Sequence, residues 1–108
     1  MVRVWRPRIE FRFSDAKLKR LYTHGAGARG YPEGVVDSFL RRVRTVDAAK
    51  DERDLRVPAS VHFEKLKGNY AGSYSMRLKD RWRLILRIVT EEERKVVVIE
   101  EITQHYGD

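Results

Sequence analysis

The sequence predicts an α+β domain: two N-terminal helices packed on a small, mainly antiparallel twisted sheet. Two observations carry this. Between Ser14 and Val46 apolar residues recur at helical spacing, whereas from Val61 onward they alternate with polar ones in short runs bounded by glycine, proline or acidic turns. A chain of 108 residues holds one hydrophobic core, so residues 1–108 read as a single domain.

From Arg8 to Phe13, Ile9, Phe11 and Phe13 alternate with Glu10 and Arg12, the pattern of an entry strand or extended arm. Ser14 is expected to cap the first helix, with Asp15 beside the positive end of its dipole. Leu18, Leu21 and Tyr22 make the apolar stripe of that helix, and Gly25 stops it. Gly25 to Gly30 is too glycine-rich to stay helical; with no closing Gly-Lys-Ser/Thr it is a connector rather than a phosphate-cradling loop. Pro32 suits the first turn of a second helix. Its stripe is Val36, Phe39, Leu40, Val43 and Val46, with Glu33, Asp37 and Arg41 outside.

Lys50 to Asp54 ends the second helix, and Val57 to Ser60 turns the chain into a meander. Its strands are expected at Val61 to Lys67, Ser73 to Leu78, Trp82 to Val89 and Lys95 to Thr103, with Glu91 to Glu93 as an exposed turn. Strands send successive side chains to opposite faces. Tyr74, Met76 and Leu78 therefore oppose Ser73, Ser75 and Arg77, and Trp82, Leu84, Leu86 and Ile88 oppose Arg83, Ile85, Arg87 and Val89. Helices cover the apolar face, and a cationic face is expected to remain free.

Composition narrows the function. Lys and Arg number 23 against 16 Asp and Glu, a net charge of +7. The excess is localised: Val61 to Arg87 holds seven cations (Lys65, Lys67, Arg77, Lys79, Arg81, Arg83, Arg87) and two anions (Glu64, Asp80). Such a face favours a polyanion, most economically nucleic acid, because phosphate contacts gain affinity from counterion release. There is no cysteine, which excludes disulfides and thiolate zinc sites. The three histidines, His24, His62 and His105, lie far apart, so neither a metal nor another cofactor is expected. No run approaches the roughly 18 apolar residues of a membrane span, and Met1 to Pro7 lacks a signal-peptide core. The reading is a soluble cytoplasmic protein without a membrane partner.

Each candidate residue also has a plainer explanation. Lys67 suits a solvated strand end. Arg83 is placed to pair with Glu100 or Glu101 on the next strand. Tyr70 and Tyr74 offer stacking surfaces for bases, although Tyr74 shares the parity of Met76 and fits the core better. His24 and His62 have no partner visible in the sequence.

The ordered set Leu66-Lys67-Gly68, Gly72, Tyr74-Ser75-Met76-Arg77 and Trp82-Arg83-Leu84, followed by an apolar strand and a C-terminal histidine, resembles the HigB branch of the RelE/ParE toxin superfamily. Gly30-Tyr31-Pro32, Val46-Asp47-Ala48-Ala49 and Asp54-Leu55-Arg56-Val57-Pro58 agree with it. The resemblance implies a RelE-like fold and a type II toxin: an endoribonuclease acting on ribosome-bound mRNA, silenced by a cognate antitoxin of the helix-turn-helix DNA-binding kind. It implies metal-free attack of a ribose 2′-hydroxyl on the adjacent phosphate, which needs a proton acceptor, cations on the transition state and an acid for the leaving oxygen.

By the resemblance, the family's strand-end lysine falls on Lys67, its post-aromatic arginine on Arg83 and its terminal histidine on His105. Thr103-Gln104 stand where relatives often carry Asp-Tyr, so Tyr106 and Glu101 are the residues available to substitute. Arg81 stands before the tryptophan where an uncharged polar residue is usual. Catalysis is thus expected from Lys67, Arg83, His105 and Tyr106, and RNA binding from Lys65, Arg77, Lys79, Arg81 and Arg87. A ParE-like gyrase inhibitor and a non-catalytic basic RNA-binding module are the competing readings.

Overall fold

The structure is a computed structural model that describes residues 9–104; His105 and Tyr106 lie outside the described residues. A strand β1 (Glu10–Phe13) leads into helices α1 (Ala16–His24) and α2 (Val35–Ala48), and then strands β2 (Glu64–Lys65), β3 (Ser73–Lys79), β4 (Trp82–Glu91) and β5 (Arg94–Thr103) follow. The five strands form one sheet in the order β1-β5-β4-β3-β2. β1 runs parallel to β5, and every other pair is antiparallel. The α+β expectation stands, with the entry strand preceding both helices.

α1 begins one residue later than expected. Asp15, not Ser14, is the N-cap, its carboxylate accepting the Lys17 N–H at 2.7 Å. Ser14 instead continues the β1 ladder through its N–H to the Ile99 carbonyl. Gly25 ends the helix at φ 70, a left-handed conformation that glycine adopts without strain.

Pro32 falls before the second helix rather than in its first turn. Its carbonyl accepts the Val35 N–H, and Gly34 at φ 89 is the N-cap. This moves the buried stripe of α2 to Val35, Ser38, Phe39, Val43 and Val46, and leaves Val36 and Leu40 half-buried. These side chains meet Leu18 and Leu21 of α1 and Met76, Leu78, Leu84, Leu86, Val97 and Ile99 of the sheet in one core. Phe39, Val43, Met76, Leu84 and Ile99 are wholly removed from water, each contributing roughly 1.5–3 kcal/mol of burial.

The strand expected from Val61 to Lys67 shrinks to Glu64–Lys65. Ala59–Val61 is instead a 3-10 turn closing on Pro58, and His62 leaves it at φ 48, which no strand can continue through. No helix among the described residues is long and apolar enough to cross a membrane.

Candidate active site

The sheet face turned away from the helices carries the site. Register places Ser75, Ile85 and Glu101 in one row across β3, β4 and β5, and Arg77, Arg83 and Thr103 in the next. β2 adds Glu64 opposite Ser75. The segment after β2 folds onto this face. The Leu66 N–H donates to the Ser73 carbonyl at 2.9 Å, and a 3-10 turn at Gly68–Tyr70 brings the Tyr70 hydroxyl to Glu101 Oε1 at 2.8 Å. Leu66 and Ile85 are consequently buried although both lie outside the helix-side core.

Arg83 is the centre of the constellation. Its side chain is only 7% exposed, because Nη2 donates to the carbonyls of His62 and Ser75 while Nη1 lies 3.9 Å from Glu64 Oε1. The irregular chain before β2 supplies one of these acceptors and β3 the other. A planar guanidinium held on fixed backbone oxygens is oriented before any ligand arrives. Pairing with Glu100 or Glu101 was a sequence expectation; Glu64, on the opposite side, takes that place.

The face is mixed rather than cationic. A bulge in the β4–β5 ladder sets Ile85 opposite Glu101 and Leu86 opposite Ile99, so Glu100 is the extra residue. Both acids then reach toward β3: Glu100 accepts from Ser73 Oγ at 3.3 Å and Glu101 from Tyr70. The hydrogen bond to Glu101, followed by burial, raises the Tyr70 hydroxyl above its ordinary pKa. Ser73 and Ser75 are buried, and Ser75 Oγ has no hydrogen-bond partner among the described residues.

The other expected residues separate into two groups. Arg77 and Arg87 are exposed on the site face, opposite Arg83 and Ser73 respectively, and Lys67 is exposed where β2 gives way to the 3-10 turn. Lys65 pairs with Tyr74 and so shares the helix-side parity. The Lys79 ammonium donates to the Glu33 carbonyl at 2.9 Å, just before the N-cap of α2, and Arg81 occupies the exposed β3–β4 turn. Tyr74 stacks on Phe63, with centroids 5.0 Å apart, and Arg56 covers the Phe63 ring. Tyr74 is thereby a packing residue, as its parity predicted.

Glu64 is the residue that sequence reasoning passed over. A signal existed, since it is one of only two acids in the basic segment. Together the site offers a fixed guanidinium, a half-exposed carboxylate beside it, and further cations at its rim: the components for binding a phosphate and removing a proton next to it.

The chain is similar to several known proteins. The Toxin HigB-1 of Vibrio cholerae serotype O1 is 35% identical over 77 residues, covering 71% of this chain and 81% of that protein. An uncharacterized protein of Haemophilus influenzae is 28% identical over 80 residues, 74% of this chain and 79% of its own. Among solved structures, the YoeB/ParE toxin from Agrobacterium tumefaciens superposes with a TM-score of 0.55 at 18% identity, covering 91% of this chain and 100% of its own. The YoeB-YefM complex from Staphylococcus aureus gives 0.53 at 20% identity, covering 92% and 99%. These two likenesses speak to the fold. Residues 11–100 match the family described as the RelE-like toxin of type II toxin-antitoxin system HigB, a span holding both helices and most of the sheet, and the chain belongs to that family of toxins.

Proposed function

We propose that this toxin is an mRNA endoribonuclease, formed by residues 1–108 as a single domain, that acts in the cytoplasm on ribosome-bound message. The observation that carries the reading is Arg83, buried and fixed on two carbonyls beside the half-exposed Glu64. A phosphate entering beside Glu64 exchanges a 3.9 Å ion-pair contact for charge-assisted hydrogen bonds to the guanidinium.

The Glu64 carboxylate takes the proton of the ribose 2′-hydroxyl. The 2′-oxygen bonds to phosphorus, the bond from phosphorus to the 5′-oxygen breaks, and the products are a 2′,3′-cyclic phosphate and a 5′-hydroxyl end. Arg83 and Lys67 neutralise the charge that builds on the phosphorane-like transition state, and these cations do so without a metal. His105, followed in the sequence by Tyr106, gives a proton to the departing 5′-oxygen, a role that rests on the family resemblance. Arg77, Arg87 and Arg81 hold the flanking RNA.

A cognate antitoxin masks the site between bouts of activity; a structural neighbour was solved as a toxin-antitoxin heterotetramer. The test is induction of the toxin without its antitoxin, with message ends mapped. Growth arrest with new 5′-hydroxyl ends in translated mRNA is expected, and Glu64→Gln, Lys67→Ala and His105→Ala should each suppress both. Intact message accompanied by DNA damage would overturn the reading in favour of gyrase poisoning.

A further inference from the structure

Arg42 of α2 lies outside the catalytic set, and its guanidinium shares a strand edge with that of Arg83. The Leu66 N–H donates to the Ser73 carbonyl, which turns the carbonyls of Ser73, Ser75 and Arg77 toward the β2 side of β3. β2 reaches no farther than Ser75 in this ladder, so the Arg77 carbonyl has no strand to pair with. Two arginines from different elements occupy this edge. Arg83 donates Nη2 to the Ser75 carbonyl at 3.3 Å, and Arg42 donates Nε to the Arg77 carbonyl at 3.2 Å. Two residues along a strand separate these anchors by about 7 Å, a spacing comparable with that of neighbouring phosphates on an extended RNA strand.

The surroundings of Arg42 point to an anion. Its Nε is used in the anchor, and the paired Nη donors of its fork make no hydrogen bond among the described residues. No carboxylate lies within ion-pair distance of it among the described residues, although Arg12, Arg53, Arg83, Arg94 and Lys95 all have one. Burial, and then the adjacent Arg41, lower its pKa, so the charge is held partly desolvated beside a like charge. A guanidinium kept in that setting gains most from a doubly oxygenated anion.

We propose that Arg42 binds the RNA phosphate adjacent to the scissile one, so that Ser75 and Arg77 space two arginines for two consecutive phosphates. This rests on the ribonuclease reading and adds a second phosphate subsite to it. Phosphate is favoured over an acidic antitoxin segment because the β3 carbonyl that anchors Arg42 lies two residues from one that anchors Arg83.

The test is single-turnover cleavage of a short synthetic message on purified ribosomes, with a neutral methylphosphonate walked through the positions flanking the cleavage site. In the wild type, one adjacent position should lose about tenfold in rate at subsaturating toxin, the scale of one charge-assisted contact. Arg42→Gln should show that loss with every message and no additional loss at that position. Arg42→Lys, which keeps charge without the fork, should fall between them, and matched circular dichroism and melting curves establish that the variants are folded. Identical methylphosphonate profiles for wild type and folded Arg42→Gln overturn the subsite. So does an unchanged profile with weakened antitoxin binding, which assigns Arg42 to the protein partner. A wild-type toxin that cleaves none of the messages removes the ribonuclease reading itself, a separate result.

Discussion

Replacing Arg83 by methionine should cost stability as well as toxicity. The methionine keeps much of the buried stem's volume, so the change isolates the guanidinium. That group satisfies the carbonyls of His62 and Ser75 from a residue only 5% exposed. Two charge-assisted hydrogen bonds are worth roughly 3–6 kcal/mol together, and relief from holding a charge away from water offsets several kcal/mol of this. The net loss is about 2 kcal/mol, which lowers Tm by roughly 8–16 °C in a domain of this size. Thermal unfolding followed by circular dichroism reads the stability, and growth at a temperature where the variant remains folded reads the toxicity separately. A variant melting within about 2 °C of wild type would show that the buried guanidinium does not hold this corner of the sheet together.

Three further outcomes are expected. Gly34→Ala should destabilise by about 1–2 kcal/mol in urea unfolding, because Gly34 sits at φ 89 and an added Cβ would come within 2.9 Å of the flexible Lys79 side chain. Side-chain hydrogen bonds from Arg53 and Arg12 hold Asp51 and Glu91 below ordinary carboxylate values. Their contribution is complete above those ordinary values and is lost as pH falls through the lowered ones, so Tm should fall more steeply below about pH 4 in wild type than in Asp51→Asn/Glu91→Gln. In ultraviolet titration the Tyr70 phenolate should appear above the ordinary tyrosine range, and Glu101→Gln should bring it back down; titration unchanged by that substitution would mean the Tyr70–Glu101 contact does not persist in solution.

The helices and the long strands were legible because their signals are local. Leu18 and Leu21 repeat at helical spacing, Gly25 supplies the left-handed stop, and Met76, Leu84 and Leu86 alternate cleanly. What periodicity misread was irregular backbone. His62 at φ 48 breaks the alternation that made Val61 to Lys67 resemble a strand, and the bulge at Glu100 brings two adjacent acids to one side where strict alternation separates them. The candidate site was legible in type and not in pairing. The family resemblance singled out Arg83 among seven cations, but its anchors are backbone carbonyls, which any residue supplies and no composition reveals. Glu64 stood out as one of two acids in the basic segment, but its place beside Arg83 became visible only when register set it opposite Ser75.

The parallel pairing of β1 with β5 also bears on when this toxin comes into being. In the strand order β1-β5-β4-β3-β2, the last strand described sits between the first and all the others. During synthesis β1 therefore has no neighbour in the sheet until Arg94 to Thr103 have been made, and joining them closes a loop of most of the chain. The β2–β3–β4 half, with Glu64 and Arg83, is joined by short connections and can pair early, yet Glu101 and the strand that carries it arrive last. The nascent chain thus lacks a completed sheet until β5 has been made. A toxin built in this order gains its closed sheet only with β5, which makes that interval the earliest at which an antitoxin has a completed surface to find.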